Sequence, residues 1–246
     1  MSGRQRQPEQ PERLARLWRP RISDRFGFVL FLLTATVFFS VAAPNRAWAW
    51  IIVTAVLSVS VMVAIEASGA RPSIVWAGLI VAATGLGASI IIIVTQAEGD
   101  ARRYVSVTSL LLTLLAMVAI VRRVRLHAEI SVLTVLGAVC FYVLLGLAFA
   151  FAFECVGEFG SRPFFTTQDS GTRSDYVYFS FVTMATVGYG DLTAQDGIGR
   201  ALAVIAGILG QIYLVTAVAA LVGNLGRTFN PPQEPNGKTP EDNGPE

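Results

Sequence analysis

Charged residues divide the chain into long apolar runs. Between Arg25 and Arg46 stand 20 uncharged residues, between Arg46 and Glu66 there are 19, and between Arg71 and Glu98 there are 26. Arg103 to Arg122 encloses 18, Glu129 to Glu154 encloses 24, and Arg200 to Arg227 encloses 26. A bilayer core takes roughly 20 apolar residues per helix, usually about 17–25. The pattern predicts six spanning helices, over residues 26–43, 47–65, 73–95, 104–121, 130–153 and 198–223. A further run from Tyr176 to Gly190 holds 15 uncharged residues, too few to span and too apolar for an ordinary loop. It reads as a re-entrant segment, because non-helical backbone at membrane depth survives only inside protein or beside a water-filled path. Ser174 and Asp175 suit a helix amino terminus by capping and by their interaction with the helix dipole, so 175–185 is expected to be a short descending helix.

Composition gives the same answer. Of 246 residues, 53% are hydrophobic and only 15% charged, whereas soluble chains run at about 25% charged. Mean hydropathy is +0.57. The fold class expected is therefore an all-α membrane protein with six transmembrane helices and a re-entrant helix between the fifth and sixth. Four regions follow: a basic tail (1–25), a four-helix peripheral region (26–128), a module built around the re-entrant segment (129–226) and a second tail (227–246).

Charge sets the expected orientation, since Lys and Arg flanking spans stay on the cytoplasmic side. Seven arginines precede the first span, which puts residue 1 inside. Arg71, then Arg122, Arg123 and Arg125, then Arg227 fall inside as well, so both termini are expected in the cytoplasm of a multi-pass plasma-membrane protein. Arg102 and Arg103 are the exception, lying outside beside Glu98 and Asp100. The basic arm reads as an anchor and not as a nucleic-acid arm, because it abuts a span. It also loosely imitates a secretory signal, but the apolar run of 26–43 is longer than the usual core of about 7–15 residues. The tail beyond Arg227 carries five prolines and four acids and is expected to be disordered. Cys140 and Cys155 do not suggest a disulfide framework. His127 stands alone, and no catalytic constellation or phosphate-cradling loop occurs. Neither an enzyme, nor a cofactor, nor a small-molecule substrate is expected.

The short helix runs into Thr183-Met184-Ala185-Thr186-Val187-Gly188-Tyr189-Gly190-Asp191. This string strongly resembles the selectivity filter of tetrameric potassium channels, and the resemblance extends over about 130–226. It implies that the carbonyls of Thr186, Val187, Gly188 and Tyr189 from four chains form stacked oxygen cages around permeating K⁺, with the Thr186 hydroxyl closing the innermost. Membrane lipid and three further copies of the chain are then the implied partners. Pointing successive carbonyls at one axis needs backbone angles that glycine accepts cheaply, which accounts for Gly188 and Gly190. Val187 and Tyr189 would pack behind the filter, and Asp191 would follow it. Support is expected from Tyr178, Phe179, Val182 and Thr183. Where many family members carry paired tryptophans, this chain has Tyr178 and Phe179. Phe179 cannot donate to the Tyr189 hydroxyl, so a weakened cuff and a filter prone to collapse at low potassium are expected, while Tyr178 can still reach Asp191. Val182 stands where some members have a buried glutamate, so no carboxyl pair with Asp191 is expected.

In the sixth span Gly210 aligns with the family's hinge glycine, although glycine also permits close packing of membrane helices. Gln211 either faces cavity water or hydrogen-bonds a neighbouring helix. Leu214, Val218 and Val222 would line a hydrophobic constriction able to gate by dewetting. A voltage sensor needs several arginines within the fourth span, since each charge crossing the field contributes only about 2.3 kcal/mol per 100 mV. Residues 104–121 carry none. The resulting expectation is a homotetrameric, potassium-selective channel with weak or no voltage dependence. The alternatives are a potassium transporter subunit, disfavoured because such chains usually hold four degenerate repeats, and a non-conducting modulatory subunit.

Overall fold

The computed structural model describes residues 22–42, 47–67, 72–95, 98–126, 132–167 and 171–229. Residues 1–21 of the basic arm, His127 and the acidic, proline-rich tail beyond residue 229 lie outside the described residues. The described chain is all-helical: α1 (Ile22–Ala42), α2 (Ala47–Ala67), α3 (Pro72–Thr95), α4 (Glu98–Leu126), α5 (Val132–Phe159), α6 (Arg173–Met184) and α7 (Gly197–Phe229). Among the described residues, three helical stretches are long and apolar enough to cross a membrane: Arg102–Arg122, Val135–Phe159 and Gly197–Ala220. Shorter apolar stretches occupy Gly27–Ala42, Ile52–Val63 and Val75–Gly87.

Two cores organise these helices. The first joins Val29 and Leu33 of α1, Leu57, Val61 and Ile65 of α2, Leu112, Ala116 and Ile120 of α4, and Cys140, Leu144, Leu147 and Phe151 of α5. Hence α5 belongs to the same packed body as the four helices before it. Hydroxyls inside this apolar body bond back to their own helix, as Thr36 does to the Leu32 carbonyl (2.9 Å), Ser58 to Thr54 (2.7 Å) and Thr113 to Ser109 (2.8 Å). Such local bonds remove the penalty for a polar group held away from water. Large apolar residues also face outward, among them Phe31, Phe38, Trp76 and Ile80. A chain that is apolar inside and outside suits lipid as its solvent. Cys140 and Cys155 are both free thiols.

The second core is aromatic and lies around α6. Phe153 of α5, Phe164 and Phe165 of the following loop, Tyr176 and Phe179 of α6, and Ala194 and Ala206 pack together. Edge-to-face geometry recurs, with Phe153–Phe179 at 5.1 Å and 62° and Phe164–Phe165 at 4.9 Å and 84°. Pairs of this kind contribute about 0.5–1.5 kcal/mol beyond area burial. The loop is tied to the far side of the 186–191 segment by a bridge between Phe165 and Ala194, by Thr166 N–H to the Thr193 carbonyl (3.0 Å), and by Gln195 N–H to the Phe164 carbonyl (2.8 Å).

Short α6 is wedged between α5 and α7, and a glycine on each neighbour makes room for it. At Gly146 of α5 an added Cβ would sit 2.5 Å from the Phe181 ring, and Ser180 donates to the Gly146 carbonyl at 2.7 Å. At Gly210 of α7 the same atom would sit 2.9 Å from the Met184 carbonyl oxygen.

Candidate functional site

The start of α6 differs from the sequence expectation. The cap is Thr172, not Ser174 or Asp175. Its side chain accepts from the Asp175 N–H at 3.3 Å, while Asp175 Oδ2 accepts from the Thr172 N–H at 2.8 Å. This reciprocal box satisfies two amides that a helix end leaves open. Asp175 therefore occupies the third helical position, where its charge favours the positive end of the helix dipole. Ser174 instead donates to the Val41 carbonyl of α1 at 3.0 Å. The pattern Thr-x-x-Asp was present in the sequence and would have located the cap.

At its other end α6 unwinds into the 186–191 loop without losing its hydrogen bonds. Ala185 N–H donates to Phe181 O (2.9 Å) and Thr186 N–H to Thr183 O (3.0 Å). Val187 N–H and Gly188 N–H both reach Val182 O, at 3.0 and 3.4 Å. Val182 and Thr183 thus support the loop through their backbone carbonyls, a role that residue type does not reveal.

The loop backbone alternates. Thr186 has φ +55°, Gly188 +54° and Gly190 +81°, and Thr186 is the sole non-glycine with positive φ among the described residues. In ordinary extended chain, successive residues turn to opposite sides. Alternating the sign of φ aligns successive peptide groups instead, as it does in backbone nests that bind ions. An added Cβ at Gly188 or Gly190 would meet nothing within 4 Å, so glycine is required there by backbone angle and not by space. The glycine expectation had not included Thr186.

The side chains around the loop sort as follows. Tyr178 and Tyr189 stack with centroids 6.5 Å apart and planes at 6°. The Tyr178 side chain hydrogen-bonds Asp191, and Tyr189 is 72% exposed on the single chain. Phe179 is buried in the aromatic core against Phe153, Phe164 and Phe165. It supports the loop by packing α6 against the 164–165 segment. Beyond the loop, Thr166 and Thr193 share a hydroxyl hydrogen bond of 2.7 Å, and Arg200 Nε donates to the Ala194 carbonyl at 3.1 Å. Asp196 Oδ1 accepts from the Gly199 N–H at 2.7 Å at the start of α7.

The α7 candidates separate. Gly210 lies directly against Met184 at the end of α6, within an uninterrupted helix, which gives the glycine a packing role. Gln211 Nε2 donates to the same Met184 carbonyl at 3.3 Å. Two neighbouring residues of α7 thus hold the carboxyl end of α6. Leu214 and Val218 border an apolar recess of about 430 Å³ between α5 and α7, together with Val135, Ala138, Tyr142 and Tyr213. Tyr213 crosses to α5, donating to the Ala138 carbonyl at 2.7 Å and stacking on Phe141 at 5.1 Å. The Val222 side chain lies outside the described residues.

Charged residues gather at the opposite end of α6 from the loop. Glu154 and Arg173, 1% and 5% exposed, pair at 3.3 Å, and the guanidinium lies 5.3 Å above the Phe151 ring. Arg102 pairs with Glu158 at 3.4 Å, and Arg103 Nε donates to the Glu158 carbonyl at 3.0 Å. Glu158 on α5 is thus a described partner of both Arg102 and Arg103, while the side chains of Glu98 and Asp100, which the sequence sets beside them, lie outside the described residues. The signal available was the pair of acids, Glu154 and Glu158, one turn apart where the fifth apolar run ends.

A family model described as an ion channel matches residues 129–227. The matched stretch contains α5, the aromatic loop, α6, the 186–191 segment and nearly all of α7. Among curated proteins, none matches the chain. The match supports an ion channel, and the long apolar helices support residence in a membrane.

Proposed function

We propose that this protein conducts potassium ions passively through a pore formed by four copies of the chain, with the 186–191 loops as the selectivity filter. The observation that carries the reading is the run of positive φ at Thr186, Gly188 and Gly190 within Thr-Val-Gly-Tyr-Gly-Asp. A K⁺ ion entering a narrow path must exchange hydration oxygens for protein oxygens at little cost, which rings of aligned backbone carbonyls supply. One chain offers a single carbonyl at each level, so a closed ring needs several copies, and the family resemblance puts the number at four. The carbonyl end of α6 points its partial negative charge toward the loop, which favours a cation.

Two further features support assembly around the loop. The residues of the loop are exposed on the single chain, as a surface that becomes an axis should be. Along α7, Ile198, Val204, Ile208, Ile212 and Val215 are exposed apolar residues, a face that neighbouring copies would cover. The remaining elements of the reading are six spans, cytoplasmic termini in the plasma membrane and weak voltage dependence. They rest on the apolar runs, the arginine distribution and the absence of charge in residues 104–121.

The test is potassium efflux from liposomes containing purified protein. Wild type is expected to release K⁺ down its gradient, and Gly188→Ala at equal reconstitution to release it at least ten-fold more slowly. Equal efflux from the two proteins would overturn the filter assignment.

A further inference from the structure

The fourth apolar run carries no sensor charges, yet two of the helices ahead of α5, α1 and α4, reach the amino end of α6. Arg102, near the start of α4, lies 3.4 Å from the Glu158 carboxylate and reaches within 3.5 Å of the Gly171 carbonyl. Gly171 immediately precedes Thr172, the cap of α6. Arg103 adds a bond to the Glu158 carbonyl and lies 5.7 Å above the Phe159 ring. From α1, the Val41 carbonyl accepts from Ser174 in the first turn of α6. These contacts between the peripheral helices and the α6 module converge on the end of α6 remote from the 186–191 loop.

We propose that Arg102 is a positioning residue for the loop, clamping the amino end of α6 so that peripheral helix movements reach the filter from the outer side. This rests on the reading of residues 186–191 as a conducting filter. The path is short and stiff. Arg102 holds Glu158 and the Gly171 carbonyl, and Gly171 leads directly into the capping box. Glu154 and Arg173 fix the first turn of α6 to α5 from within. The twelve-residue helix then carries Val182 in its last turn, whose carbonyl anchors the amides of Val187 and Gly188.

An arginine suits the role because its planar fork can meet a carboxylate and a carbonyl together, which a lysine point charge does poorly. The side chains of Arg102 and Glu158 are 24% and 16% exposed. The pair is therefore screened less than the fully exposed pairs whose contribution is small. Releasing the clamp lets the amino end of α6 shift, and the loop leaves its conducting geometry more often.

Two readouts test this on the full chain in nanodiscs and planar bilayers. In Arg102→Gln and Glu158→Gln, amide hydrogen exchange over residues 175–178 is expected to accelerate at least three-fold. Single-channel open probability should fall at least three-fold in either variant, with unitary K⁺ current unchanged. The double variant should be no worse than either single, because both remove one clamp, and the swap of Arg102→Glu with Glu158→Arg should recover at least half the loss. Wild-type exchange and gating in the single variants, or open-probability losses that multiply in the double, would overturn the proposal. A wild type that passes no K⁺ would sink the channel reading alone, and hydrogen exchange would still decide the clamp.

Discussion

At the scale of single residues, two glycines show two different demands. Gly188 sits at φ +54° with open space where a Cβ would be. An L-residue there costs roughly 1–2 kcal/mol in each copy, whereas a D-residue adopts the angle freely. Semisynthetic protein with D-Ala at position 188 should therefore retain most K⁺ efflux, while L-Ala should lose it. Equal loss in both would mean that the backbone angle is not what glycine provides. Gly210 is the reverse case, a position set by contact. Because an added Cβ would lie 2.9 Å from the Met184 carbonyl, Gly210→Ala forces backbone apart and should cost on the order of 1–3 kcal/mol, the usual range for overpacking. A clear drop in the thermal midpoint of the detergent-solubilised protein is expected. An unchanged midpoint with altered gating would favour the hinge role instead. Sequence made the glycine spacing visible but could not distinguish these demands, because close approach depends on where α6 ends and positive φ on how its last turn unwinds.

At the scale of elements, α6 is the part on which the account depends. Its existence was legible, since a run of 15 uncharged residues between Asp175 and Asp191 is too short to span and too apolar for a surface loop. Its cap was misplaced by a few residues because Ser174 and Asp175 both look like caps, and only geometry shows Asp175 reaching back to Thr172. What anchors α6 was not legible at all. Glu154 and Arg173 are 19 residues apart, and Arg102 and Glu158 are 56 apart, so pairing them requires the fold. The buried pair carries its own prediction. Arg173→Met strands the Glu154 carboxylate in an apolar site and should cost about 3–5 kcal/mol, whereas adding Glu154→Leu should restore most of that. Denaturant unfolding of the two variants checks it, and equal stability of single and double would show that the pair is energetically idle. The aromatic core explains the Phe179 departure in the same way. The ring is buried between α5 and the 164–165 loop, a placement that its match to one of the family's paired tryptophans could not reveal.

At the scale of the whole molecule, sequence patterning announced an all-helical membrane chain, and the described residues are helical apart from 160–167, 171–172 and 185–196. The match of residues 129–227 to an ion-channel family model coincides with the module that the apolar runs and the Gly-rich string had marked out. Less legible was that α5 shares one core with α1, α2 and α4, since lipid-facing and protein-facing residues are equally apolar and leave little amphipathic signal. Residues 104–121 bring no charge into the membrane field, and each charge would contribute only about 2.3 kcal/mol per 100 mV. Conductance is therefore expected to change shallowly with voltage, with fewer than about one effective gating charge per chain. A steep conductance–voltage relation in bilayer recordings would contradict this. The central claim is that aligned carbonyls select K⁺ over Na⁺, and its most direct test is the reversal potential of purified protein in a planar bilayer with K⁺ on one side and Na⁺ on the other. A reversal potential displaced far toward K⁺ selectivity is predicted, and a reversal near zero would contradict the account.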